Sequence, residues 1–164
     1  MKNETKVILE DVKIEPNKDN VDIESDIKQL DGKIQISVNT TLKVDLDEHV
    51  YASALFSNKL DGAYTPLLRL EPIPICKYLN AEEKSPILKL ALLALKYFGE
   101  IPDKCPIAKG HYYVKDIEID EGIMISKMLS GSYHAEILVQ TKEGNELKLI
   151  CKTTVALTVD QPTE

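Results

Sequence analysis

The chain reads as an all-β protein, a two-sheet antiparallel β-sandwich with one inserted apolar α-helix at about 85–98. Three observations carry this expectation. Lys33–Asp47 alternates apolar and polar residues almost without error, the C-terminal stretch repeats that alternation, and turn residues divide the remaining chain at short intervals. A period of two marks half-buried antiparallel strands, and seven or eight of them so divided point to a sandwich. Strands with one polar face also argue against a parallel α/β sheet, whose strands are buried on both faces.

In Lys33–Asp47, Ile34, Ile36, Val38, Leu42, Val44 and Leu46 share one face, while Lys33, Gln35, Ser37, Asn39, Thr41, Lys43, Asp45 and Asp47 share the other. Asp31-Gly32 reads as a hairpin turn from a strand near Ile23–Leu30. In the last strand Leu147, Leu149, Cys151, Thr153, Val155, Leu157 and Val159 lie on one face. Gly144-Asn145 joins it to an alternating segment at Tyr133–Thr141. Further strands are expected near Lys6–Ile14, Val50–Phe56, Tyr64–Leu70 and His111–Ile119.

The helix opens at Ser85-Pro86, a preferred N-cap followed by a preferred first helical residue, and Gly99 stops it. Ile87, Leu90, Ala91, Ala94, Leu95 and Phe98 form one stripe, and Leu88, Leu92, Leu93 and Tyr97 fill most of the rest. A helix apolar nearly all round is expected to be buried on more than one side. Either it is sandwiched between sheet and loop, or one face lines a ligand cavity.

The chain holds three cysteines. Cys76 and Cys105 bracket the helix in proline-rich segments expected to be irregular. A bond between them would close a loop of about 30 residues and contribute roughly 3–4 kcal/mol. Three free thiols in a cytosolic protein is the alternative. Cys151, on the apolar face of the last strand, reads as a buried small hydrophobe.

Composition narrows the function. At 164 residues the chain fits a single domain spanning 1–164. Its formal charge of -7, with scattered basic residues, is wrong for nucleic acid. Apolar runs are too short to span a bilayer. Met1–Lys6 lacks the apolar core of a signal peptide, so the chain is either cytosolic or a mature secreted domain with its leader removed. Two N-x-S/T sequons, at Asn3 and Asn39, fit the secreted reading. His49, His111 and His134 do not pair with one another or with a cysteine at metal-ligand spacing. Neither a G-x-S-x-G elbow nor a phosphate-cradling glycine loop occurs. No enzyme, metal or cofactor is expected.

The stretch from Cys76 to His134 resembles a large insect family of small secreted proteins. That family includes the chemosensory CheB group and is distantly similar to the ML lipid-recognition proteins and the ganglioside activator. Its pattern is a cysteine before a central helix, then Cys-Pro, a glycine and paired aromatics, supplied here by Cys76, Cys105-Pro106, Gly110 and Tyr112-Tyr113. Met128-Leu129-Ser130-Gly131-Ser132-Tyr133-His134 stands where the family tends to carry Leu-Pro-x-Gly-x-Tyr-Arg. The proline is missing, His134 replaces the arginine, an aspartate before the first cysteine is absent, and Cys151 is extra. The resemblance implies an immunoglobulin-like, ML-like sandwich that opens between its sheets to hold a lipid or hydrophobic semiochemical.

The expected function is therefore a secreted, non-enzymatic carrier of a lipid or other hydrophobic small molecule, with a chemosensory role and a receptor protein in view. Phe56, Leu88, Leu92, Leu93, Tyr97 and Tyr113 are the candidate pocket residues. The alternative is an extracellular protein-interaction module with a filled core and no small-molecule ligand.

Overall fold

A computed structural model describes residues 6–81, 86–120 and 129–160, without the side chains of residues 60, 87 and 88. In chain order the elements are β1 (Lys6–Pro16), β2 (Val21–Leu30), β3 (Lys33–Leu42), β4 (Val50–Leu60) and β5 (Ala63–Pro74). Then come α1 (Ile75–Leu79), α2 (Pro86–Phe98), β6 (Gly99–Glu100), β7 (Gly110–Asp120), β8 (Gly131–Glu143) and β9 (Glu146–Asp160). Two sheets form, a five-stranded one ordered β1-β9-β8-β4-β5 and a four-stranded one ordered β2-β3-β7-β6. All neighbours are antiparallel. The expected two-sheet antiparallel sandwich is the observed architecture.

Turn chemistry sets the hairpins. Gly32 (φ 73°) closes β2–β3 and Gly144 (φ 63°) closes β8–β9, where a side chain would be strained by a left-handed backbone. Asp61 and Gly62 adopt φ 52° and 85° between β4 and β5, the signature of a two-residue hairpin turn.

Residues from both sheets meet in the core. Val21 and Leu42 of the four-stranded sheet join Val50 and Ile150 of the five-stranded one, with Cys76, Leu79 and Ile107 completing the cluster. A smaller cluster pairs Val7 with Val159 near the β1 edge. There Gln29 of β2 accepts the Leu9 amide proton at 2.9 Å and donates to the Val7 carbonyl. This clamp ties β2 to β1 and closes the sandwich along one side.

Among the described residues the opposite side is open, because β6 is only two residues long and lies at the far edge of its sheet, as β4 and β5 do in the larger one. Along that half the inner positions are exposed. Phe56 pairs with Leu68 and Ala54 with Leu70 and Ile137, and Phe56, Leu68, Leu70 and Ile137 are all exposed.

Four expectations are corrected. Helix α2 is not buried on more than one side: Leu90 (68%), Leu93 (65%) and Tyr97 (85%) face solvent. Only its Leu92 side packs on the core, since no second layer covers the other side among the described residues. Cys76 is not in irregular chain but in α1, buried with Leu79. The third strand ends at Leu42 rather than Asp47. Its neighbours β2 and β7 begin opposite that point, at Val21 and Gly110, so the chain beyond leaves the ladder and meets Ile107 through a single isolated bridge at Leu46. Finally, Leu147 and Leu149 are exposed while Ile150 is buried. The β8–β9 register shifts between Val139↔Cys151 and Gln140↔Leu149. That bulge at Ile150 reverses the alternation on either side of it.

Candidate functional site

Between the sheets lies an apolar hollow of about 350 Å³, lined by Val21, Ile23, Val38, Thr40, Leu42, Leu46, Ile101, Pro102, Ile107, Tyr112, Tyr113, Val114, Val139, Ile150 and Cys151. Its walls follow from strand alternation. Val21 and Ile23 of β2, Val38, Thr40 and Leu42 of β3, and Tyr112 and Val114 of β7 are cross-strand neighbours on one inner face. Val139 and Cys151 are partners on the other. The bulge at Ile150 lets two consecutive β9 residues contribute. Thr40, Cys151, Tyr112 and Tyr113 are the lining residues with polar side-chain groups, and the Tyr112 hydroxyl already donates to the Ala108 carbonyl at 2.7 Å.

The rim segment from Ile101 to Ile107 is held by directed bonds. Leu46 and Ile107 exchange backbone hydrogen bonds of 2.8 and 2.7 Å. The Cys105 amide donates to Asn80 Oδ1 at 2.8 Å, and the Lys109 amide to Asp45 Oδ1 at 2.7 Å. Cys76 and Cys105 form a disulfide that joins α1 to this rim across a sequence separation of 29. Aspartate side chains that capture backbone amides draw the chain out of the sheet ladder. That is how Leu46 comes to face Ile107 instead of extending β3.

The candidate pocket residues are scattered by the structure. Tyr113 borders the hollow, but its ring stacks on His111 with centroids 5.7 Å apart. Phe56, Leu92, Leu93 and Tyr97 do not line it. Phe56 lies on the exposed inner face of β4, Leu92 packs against the core, and Leu93 and Tyr97 face solvent. The side chain of Leu88 falls outside the described residues, as do Asn3 and Ser85. The hollow was built instead by β2, β3, β7 and β9. Their alternation identified inward positions, but nothing in the sequence showed which inward residues would touch each other and which would face a space.

Electrostatics at the site are mild. Burial pushes the Cys151 thiol up, against a weaker lowering by its hydrogen bond with Thr153, so it stays neutral at physiological pH. On the inner face of β4, Asn58 Oδ1 is buried without a hydrogen-bond partner among the described residues. Among those residues no cluster of three His, Cys, Asp or Glu could hold a metal ion. An apolar wall with few polar groups can hold a greasy ligand by desolvation and select it by shape.

A family model described as a protein of unknown function, DUF1091, matches residues 52–135, which is just over half of the chain. The chain belongs to the DUF1091 family. The matched part of this DUF1091 protein runs from β4 through α2 into β8, and so contains both disulfide cysteines and the rim. No curated protein matches the chain. Among solved structures, chicken MD-1 complexed with lipid IVa is similar at 13% identity, covering 97% of this chain and 98% of that one with a TM-score of 0.44. Among the described residues of the DUF1091 protein, no helix is long and apolar enough to cross a membrane.

Proposed function

We propose that this is a secreted, single-domain, non-enzymatic carrier that holds a lipid or similar hydrophobic small molecule between its sheets. One observation carries the reading: an apolar hollow of about 350 Å³ between the sheets, beside an inner face that stays exposed from Ile137 through Phe56 to Leu68 and Leu70. Soluble proteins rarely leave such a face uncovered without a use for it. The volume is at the small end of ligand pockets, which run about 300–1,000 Å³. A tail of about eight methylenes would gain about 6 kcal/mol there before ordering costs. The disulfide supports a secreted protein, since such bonds persist in oxidising compartments. The resemblance to chemosensory proteins supports a semiochemical as the class of ligand and a receptor as the protein partner.

A second reading, an interaction module, is favoured by the solvent-facing stripe Leu90, Leu93 and Tyr97 on α2. Extraction separates the two. The purified protein should yield a stoichiometric fatty acid, phospholipid or comparable apolar molecule to organic solvent, identified by mass spectrometry beside an unrelated protein from the same host. An empty extract, together with no uptake of added long-chain fatty acid, would favour the interaction module.

A further inference from the structure

We infer that Asn39 is an N-glycosylation site and that the aromatic pair Tyr113 and His111 forms the platform on which its first sugar rests. The acceptor triplet Asn39-Thr40-Thr41 lies in β3. In an extended strand, Asn39 and Thr41 project to the same face. That face is the outer one, because Thr40 between them points into the hollow. Both Asn39 and Thr41 are exposed, so a glycan attached before folding would leave the core untouched.

The amide is also oriented. Asn39 Oδ1 lies 2.7 Å from His111 Nε2, and an amide oxygen can only accept, so the ring donates. The other arm of the amide, Nδ2, is the atom that takes the sugar, and it is directed away from His111. Tyr113 is the cross-strand partner of Asn39 in β7. It is 39% exposed, and its ring stacks on His111 at an interplanar angle of 24°. On the other flank Glu24 is the partner in β2. Glu24, Asn39 and Tyr113 border an outer-face hollow of about 450 Å³ that includes Ser37 and Asp116, and His111 backs the Tyr113 ring from beside it. A flat aromatic ring beside the carboxylate acceptors of Glu24 and Asp116 suits an N-acetylhexosamine, whose ring has an apolar face and hydroxyl edges.

The reaction balances with a polyisoprenyl-diphosphate-linked oligosaccharide as donor. The Nδ2–C1 bond forms, the bond from C1 to phosphate oxygen breaks, the diphosphate leaves with the electron pair, and one amide proton is lost. The inference rests on the secreted reading, and the test keeps the two apart. The chain, with a cleavable leader and Asn3→Gln to remove the other sequon, is secreted from a eukaryotic host.

The expected result is one glycan that peptide-N-glycosidase removes, leaving aspartate at position 39, and that Thr41→Ala abolishes. The glycosylated form should melt about 2–4 °C above the enzymatically deglycosylated form. Tyr113→Ala should keep the glycan but erase that difference, and Tyr113→Leu, which restores bulk without a flat face, should erase it too. The Cys76–Cys105 bond reports passage through the oxidising compartment. A disulfide-bonded product with bare Asn39 would overturn the inference and leave the carrier reading intact. An undiminished melting difference in both Tyr113 variants would overturn the platform.

Discussion

Cys151 is the residue that reports on the hollow. It borders the space from β9, and burial raises its pKa above the ordinary 9.0. A thiol held neutral is a poor nucleophile, so its alkylation at neutral pH should be slower than that of a free cysteine. Loading with a long-chain fatty acid should slow it further, and equal rates with and without the fatty acid would place the ligand elsewhere. The pH dependence has a definite sign. Below about pH 9 the thiol is protonated in folded and unfolded chains alike and the linkage is silent. Above it the unfolded chain releases a proton that the folded chain keeps, so stability falls. Urea midpoints at pH 8 and 10 should drop more for the natural chain than for Cys151→Ala. Asp116 shows another local cause at work. Its φ of 55° sits at the β3–β7 register shift. Its amide donates to Ser37 Oγ at 2.9 Å, a contact that supports the left-handed turn an aspartate can adopt.

At the scale of elements, α2 divides into two sides. Leu92 packs on the core cluster, whereas Leu93 is 65% exposed. Leu92→Glu should destabilise by several kcal/mol through burial of an unpaired charge. Leu93→Glu should stay within about 0.5 kcal/mol of the natural chain and keep fatty-acid uptake; lost uptake in a folded Leu93→Glu protein would make the helix part of the site. The disulfide acts on a larger piece of chain. It closes α1, the segment to α2, and the rim into a loop with a separation of 29 residues. Loop entropy assigns it about 3–4 kcal/mol. A Cys76→Ser, Cys105→Ser chain should therefore melt about 10 °C lower, at about 2–4 °C per kcal/mol. A fall under about 3 °C would mean that the core and the Leu46–Ile107 bridge hold the rim unaided.

For the molecule as a whole, a fitting ligand should raise stability by mass action. Free ligand at about 100 times Kd contributes about 2.7 kcal/mol, or about 5–10 °C in Tm. An interaction module without a cavity would show no shift with any fatty acid. The sandwich, the strands and both ends of α2 were legible because period-two and helical patterns are local properties. What was not legible is relational. The bulge at Ile150, the ending of β3 where its neighbours begin, and the solvent face of α2 depend on which elements lie opposite one another. An apolar helix with nothing over it has the same sequence as one with a sheet over it. Hence Leu93 and Tyr97 looked like pocket residues, while Ile107 and Tyr112 did not.

Gly99 fixes one end of α2 in this layout. A Cβ at that position would lie 1.9 Å from the Tyr113 carbonyl oxygen, so the end of α2 is pressed directly against β7. Gly99 and Glu100 pair with Val114 and Tyr113 immediately after the helix, and Lys96 is bonded to Asp103 one turn earlier. The helix is in effect welded to the wall at its Phe98 end, and glycine is the one residue small enough to leave the weld room.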